Sequence, residues 1–213
     1  MTPDSKRILL IGGGGHCRSV LDSVLSLGLY DEVGIVDREA VRIPGASVVG
    51  SDQDLGALFQ KGWTDAFITL GSVGNTALRR RIYSAIREIG FHIPTIADKT
   101  AAIAGGVRMD DGCFIGKNAV INAGASLGCC AIINTGAIVE HDCAVGDFSH
   151  ISPGAVLCGQ VRIGHDTHIG AGTVVRQLIS VGNNVLIGAG SVVVKDIPDG
   201  KTAYGNPCRI VER

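Results

Sequence analysis

The sequence has almost no net charge, few aromatic residues and no long apolar run. Its Lys and Arg nearly balance its Asp and Glu, leaving a net charge of −1 over 213 residues, which argues against a nucleic-acid-binding surface. No apolar run approaches the roughly 18 residues that suggest a transmembrane helix, and the N-terminus lacks a signal peptide's basic start and apolar core. A soluble, cytoplasmic chain without membrane insertion is expected. The 7 cysteines form no CxxC pair, and disulfides are not expected in that compartment. No serine sits at a nucleophile elbow, and no cysteine has an activating environment. The length allows one large domain or two small ones.

Glycine is what the chain has in quantity, 31 residues in all, and a repeat explains much of it. Stepping by six from Ile103 through Met109, Ile115 and Ile121 to Val193 meets only aliphatic residues or Met. Four residues after each comes mostly a small residue, such as Ala119, Ala137 or Ala155; Cys113 and Cys143 take this place and read as buried thiols. The residue directly after the aliphatic one is often Gly, which we attribute to turn conformations at corners. A period of six fits neither an amphipathic helix nor a meander. It fits a parallel β-helix in which three hexapeptides make one triangular coil, residues 18 apart stack, and the aliphatic residues fill the prism. Pro198 and Pro207 end the repeat, and the tail is expected to cap the last coil.

The first ninety residues read differently. Residues 6–11 suit a buried strand, followed by Gly12-Gly13-Gly14-Gly15-His16 and a helix over 17–27 with Val20, Leu21, Val24 and Leu25 on one side and Gly28 as C-cap. Strands at 32–36 and 66–70 and a basic helix at 76–89 complete a small Rossmann-like parallel α/β unit. The Gly-rich turn offers backbone N–H groups at a helix N-terminus, where a phosphate fits. Asp37 ends the second strand, where a ribose or base contact is expected. Cys17 stands where the full dinucleotide fingerprint has its third Gly, and the unit is too short for a dinucleotide domain, so a nucleotide attached to something small fits it better. The expected organisation is therefore α/β over 1–92, β-helix over 93–197 and a cap over 198–213.

Polar residues within the repeat mark candidate chemistry. Glu140-His141-Asp142 places a histidine beside carboxylates at a corner, an arrangement suited to a general base; either Glu140 or Asp142 could orient it. His150 and His168 are expected to stack on adjacent coils. His165 and His168 have HxxH spacing, but the close His pair of the zinc hydratases that share this prism is missing, and no metal is expected.

The stretch Asn134 to Ser152, which contains Glu140-His141-Asp142 and His150, is very similar to the active-site segment of the sialic-acid/bacillosamine-type nucleotide-sugar acetyltransferases, members of the hexapeptide-repeat acyltransferases. The resemblance covers essentially the whole chain. It implies a left-handed β-helix, acetyl-CoA as cosubstrate, and a homotrimer with sites between subunits. It also implies N-acetylation of a 4-amino-4,6-dideoxy sugar on a nucleotide, nearest to GDP-perosamine, with a glycan such as a lipopolysaccharide O-antigen as its destination. His141 matches the general base and Asp142 its carboxylate partner. Asn134 and His150 match residues at the acetyl end of the cofactor, Gly159 an oxyanion-facing N–H, and Ala171 and Ala189 main-chain contacts to the CoA arm. Gly14, Gly15, His16, Asp37, Arg38 and Gly71 match positions around the sugar nucleotide. Arg38 replaces an acidic residue of the bacillosamine-pathway relative, which leaves room for guanine in place of uracil. A UDP- or dTDP-linked acceptor, O-acetylation of a free sugar and a non-catalytic sugar-nucleotide-binding solenoid are the alternative readings.

Overall fold

The computed structural model describes residues 5–39 and 43–211, so the ends of the expected first domain and tail, residues 1–4 and 212–213, lie outside the described residues. The chain divides into two units, residues 1–71 with 77–99, and residues 72–76 with 100–213.

The first unit is a parallel four-stranded sheet. Its strands are β1 (Arg7–Ile11), β2 (Glu32–Val36), β3 (Ser47–Gly50) and β4 (Asp65–Ile68), in the order β3-β2-β1-β4. Ile8 to Ile11 are all buried, as a central parallel strand requires. Helix α1 (Gly15–Leu27) follows the Gly-rich turn and ends at Gly28 in the left-handed region, φ 63°. Val20, Leu21 and Val24 are buried on it, but Leu25 is 47% exposed. The apolar stripe is thus narrower than the sequence suggests, and the inward space beside it is taken by Ser23, whose hydroxyl donates to Asp98 at 2.6 Å. The sequence reading lacks β3 and α2 (Leu55–Gln60), with the 3-10 turn Asp52–Asp54 that leads into α2. Both are too short to show a period. Helix α3 (Ala77–Ile89) is amphipathic, with Ile82 and Ile86 buried. The strand order reverses between β1 and β4, so the carboxyl ends of these strands form a topological switch point.

The second unit is a left-handed parallel β-helix of hexapeptide coils. Two-residue strands stack in three flat faces. The first contains Ile132–Ile133, His150–Ile151 and His168–Ile169; the second, Ile138–Val139 and Val156–Leu157; the third, Ala144–Val145 and Arg162–Ile163. Partners are 18 residues apart, as in Ile138↔Val156. The aliphatic column fills the interior: Ile121, Val139, Leu157, Val175 and Val193 are at most 1% exposed. The last coil is shorter, since Leu186 pairs with Thr202 at an offset of 16.

The structure corrects the role of the corner glycines. The left-handed residues come three positions after the aliphatic one, and many are not Gly: Asp142 (φ 58°), Phe148 (58°), Gln160 (61°), Leu178 (65°). The glycines directly after the aliphatic residue are needed for clearance. A Cβ on Gly146 would lie 2.6 Å from the Gly164 carbonyl carbon, and one on Gly170 2.5 Å from Ala189 N. Backbone of the next coil passes where a side chain would be.

Candidate active site

His141 and Asp142 form the turn between the second and third faces, the second edge of the prism. Asp142 takes a left-handed conformation, and its Oδ2 lies 3.0 Å from His141 Nδ1. Glu140 does not touch the ring; its Oε2 accepts the His141 backbone N–H at 3.3 Å. Asp142 therefore orients the imidazole. With Nδ1–H donated to the carboxylate, the Nε2 lone pair is the basic site, and the ring is exposed enough for a substrate to reach it. Gly159 lies on the same edge one coil on, against the Nε2 side of the ring. Among the described residues the Gly159 N–H has no hydrogen-bond partner. An imidazole held by a carboxylate and a free N–H are thus side by side.

Asn134 lies elsewhere, on the first edge, where the first face meets the second, and His150 lies beside it on the outer surface of the first face. Asn134 Oδ1 accepts the Thr135 N–H at 2.8 Å, which turns the amide Nδ2 toward His150 Nε2 at 3.1 Å. His150 and His168 stack edge to face, with ring centroids 4.9 Å apart. Ala171 and Ala189 occupy the same first edge on later coils, followed by Gly172 and Gly190, whose Cβ positions are open. The N–H groups of Ala171 and Ala189 have no partner among the described residues. The third edge contrasts with this. There the N–H groups of Cys129, His165 and Asn183 are capped by the side chains of Asp147, Asn183 and Asp199.

The expected site residues of the prism are therefore split within one chain. His141, Asp142 and Gly159 share the second edge; Asn134, Ala171 and Ala189 share the first, with His150 beside them on the outer surface of the first face. The face between these edges is the second, and its outer surface is an aliphatic ladder of Val120, Ile138, Val156, Val174 and Val192. The matching ladder on the third face is Arg108, Ser126, Ala144, Arg162 and Ser180.

His165 and His168 do not converge. His165 Nδ1 accepts the Asp147 N–H at 3.1 Å, whereas His168 Nε2 faces Ser152 Oγ at 3.2 Å. Among the described residues Asp110, Cys129 and Asp147 form a close trio, but Asp147 Oδ1 is engaged as the cap of Cys129 N–H. Cys113 and Cys143 are buried thiols as expected, each donating to a backbone carbonyl; burial pushes Cys143 up to about 11.

In the first unit a cleft of about 300 Å³ opens at the carboxyl ends of the strands, lined by Gly12, Asp37, Arg38, Asp52, Leu70 and Arg81 among others. Asp37 is more than a group awaiting ligand. Its Oδ2 accepts the Gly13 N–H at 2.6 Å and its Oδ1 the Glu39 N–H at 3.0 Å, and these bonds hold its carboxyl below the usual range. It thereby ties the Gly-rich turn to the end of β2. Gly12 (φ 103°) must be Gly, since a Cβ would run into Leu70. Gly14 and Gly15 open the N-terminus of α1, which has no side-chain cap. Arg38 is exposed, with Asp52 3.6 Å away. His16 is lowered to about 4, chiefly by burial and secondarily by the buried Arg79 guanidinium. Gly71 lies near the His16 Cβ. Arg81, with Leu78 and Ile82, is an addition to the expected set. Its signal in the sequence is the i, i+3, i+4 spacing on α3, which reads there only as basic amphipathicity.

Comparison with known proteins agrees with this architecture. Residues 7–86 match the PglD N-terminal domain family, and residues 106–141 and 160–195 match the hexapeptide repeat of succinyl-transferase. No curated protein matches the chain by sequence. Among solved structures, the acetyltransferase domain of PglB from Neisseria gonorrhoeae FA1090 is 36% identical over 97% of this chain and 100% of its own, with a TM-score of 0.92. It has also been solved with acetyl coenzyme A. Perosamine N-acetyltransferase from Caulobacter crescentus, solved with CoA and GDP-perosamine, is 34% identical over 97% of each chain, with a TM-score of 0.91. WeeI from Acinetobacter baumannii AYE shares the fold at 22% identity, covering 97% of this chain and 100% of its own, with a TM-score of 0.81. With a PglD-type N-terminal domain, a hexapeptide prism and full-length similarity to these enzymes, the chain belongs to the acetyl-CoA-dependent hexapeptide-repeat sugar N-acetyltransferases.

Proposed function

We propose that this enzyme transfers the acetyl group of acetyl-CoA to the C4 amine of a nucleotide-linked 4-amino-4,6-dideoxy sugar, with GDP-perosamine as the first candidate. The observation that carries the mechanism is the His141–Asp142 pair, 3.0 Å apart, with Nε2 beside Gly159. The unprotonated amine attacks the thioester carbonyl. His141 Nε2 takes the proton lost by nitrogen, Asp142 stabilises the imidazolium, and the Gly159 N–H receives the oxyanion. The tetrahedral intermediate then expels CoA as its thiolate, which takes the proton held on His141 Nε2 and leaves as the thiol, and no acyl-enzyme is formed.

The working unit in this reading is a homotrimer. The aliphatic second face is what a neighbouring copy covers, and it lies between the two edges that carry the half-sites. A heterologous association that closes on itself sets the second edge of one copy against the first edge of the next. Asn134 and His150 then serve the acetyl end, while the N–H groups of Ala171 and Ala189 serve the CoA arm. The sugar nucleotide belongs in the cleft of the first unit. Its phosphates face Gly14, Gly15 and His16 at the N-terminus of α1, and its nucleoside faces Asp37, Arg38 and Gly71. Both substrates are of the kind found in cytoplasm, where we place the protein.

Thiol release from acetyl-CoA, measured with GDP-, UDP- and dTDP-linked 4-amino-4,6-dideoxy sugars, tests the reading. Turnover with GDP-perosamine above the others supports it. Turnover only with UDP- or dTDP-sugars keeps the chemistry and replaces the acceptor. Turnover only with a free sugar hydroxyl overturns N-acetylation.

A further inference from the structure

One short stretch of chain does not stay with the domain that encodes it. Residues Ser72–Thr76 connect β4 to α3 of the first unit, yet by contact they belong to the prism. Contacts with the prism hold them there. The Thr76 hydroxyl donates to Asp166 Oδ1. The main chain of Ser72 faces the His168 ring. Between them the backbone turns at Gly74 (φ 72°), close to Leu186. Val73 is 71% exposed, so apolar burial of that side chain is not what holds the segment.

Both ends of the segment run into the cleft lining, Leu70 on one side and Leu78 on the other. Its prism partner His168 stacks on His150, which contacts Asn134 at 3.1 Å. The same five residues are thus joined through the chain to the proposed nucleotide cleft and by contact to the histidines of the first face. Any drift of the segment is passed on through the chain to Leu70 and to α3.

We propose that Ser72–Thr76 is an acceptor-positioning strap, with Asp166 and His168 as its positioning residues; the inference rests on the acceptor reading above. Neither residue enters the chemistry, so loss of the strap acts on acceptor binding before it acts on the acetyl donor.

Thr76→Val removes the donated hydrogen bond, and Thr76→Ser retains it. Asp166→Gly removes the acceptor without straining a residue already at φ 58°. For Thr76→Val and Asp166→Gly we expect the KM for the sugar nucleotide to rise about tenfold, as for a lost hydrogen bond to a charged group. The KM for acetyl-CoA should be unchanged, and Thr76→Ser should behave as wild type. Amide exchange at residues 73–76 should accelerate while the coils keep their protection. Unchanged exchange in Thr76→Val overturns the strap, and so do equal changes in both KM values. If no sugar nucleotide is acetylated, the acceptor reading fails by itself, and the exchange measurement still decides whether Thr76 and Asp166 hold the segment.

Discussion

His141 lies directly over Gly159: a Cβ on that glycine would sit 2.5 Å from the imidazole Nε2 and 2.7 Å from Cε1. The ring has its place because the residue beneath it has no side chain. Gly159→Ala is sterically a substitution in the histidine's seat. It should lower kcat by about 10²-fold, the size of effect that follows a misplacement of about 1 Å. His141→Ala should lose a similar factor or more, within the range for a general base. Because the two act on one group, the double variant should be little worse than His141→Ala alone, which a double-mutant cycle of kcat measures. Additive losses would falsify this coupling.

The aliphatic ladder of the second face makes a second prediction. Val156→Glu places a carboxylate in the middle of the surface we assign to the neighbouring copy, and should give monomers by sedimentation velocity together with loss of turnover. Arg162→Glu, on the outer surface of the third face, should change neither the oligomeric state nor the activity. A trimer that survives Val156→Glu removes the second face as the interface.

The two kinds of corner glycine should respond differently to alanine. Gly146→Ala forces a methyl group against the Gly164–His165 backbone and should destabilise by about 3 kcal/mol, the upper range for overpacking. Gly136→Ala meets no atom within 4 Å, and only its φ of 64° is unfavourable, so about 1 kcal/mol is expected. Thermal unfolding of the two variants checks the order; the reverse order would mean that conformation, not clearance, selects Gly directly after the aliphatic residue.

A fourth test concerns pH. His16 falls from 6.5 in an exposed chain to about 4 in the fold, so the unfolded state binds more protons between those values. Stability of the first unit is therefore intact above about pH 6.5 and is lost as pH falls toward about 4, by at most about 3 kcal/mol. Asp37, whose carboxyl is lowered, loses its contribution only below the carboxylate range. Trp63 is the only tryptophan, buried in the first unit, and its fluorescence follows that unit during denaturation. His16→Asn should flatten the slope between pH 6.5 and 4, and an unchanged slope would assign it to another group.

The period of six was decisive in the sequence because it is a local rule. Each hexapeptide must bury its own aliphatic residue and turn its own corner, so Ile121, Val139 and Leu157 could be placed in the interior before any coordinates. The Gly-rich turn, the Gly28 cap and the cluster of His141 with its two carboxylate neighbours were legible for the same reason, since neighbours in sequence are neighbours in space. Elements without a full period were not legible: β3 and α2 are held by tertiary packing. Nor did the sequence separate the two demands on glycine, because clearance from the next coil involves residues 18 positions away and backbone direction. Only the tertiary structure decided that Asp142 and not Glu140 holds His141, that Asp37 has both carboxylate oxygens engaged with Gly13 and Glu39, and that Ser72–Thr76 belongs to the prism. Each is settled by where the stacked coils and the sheet ends leave room, which no local spacing encodes.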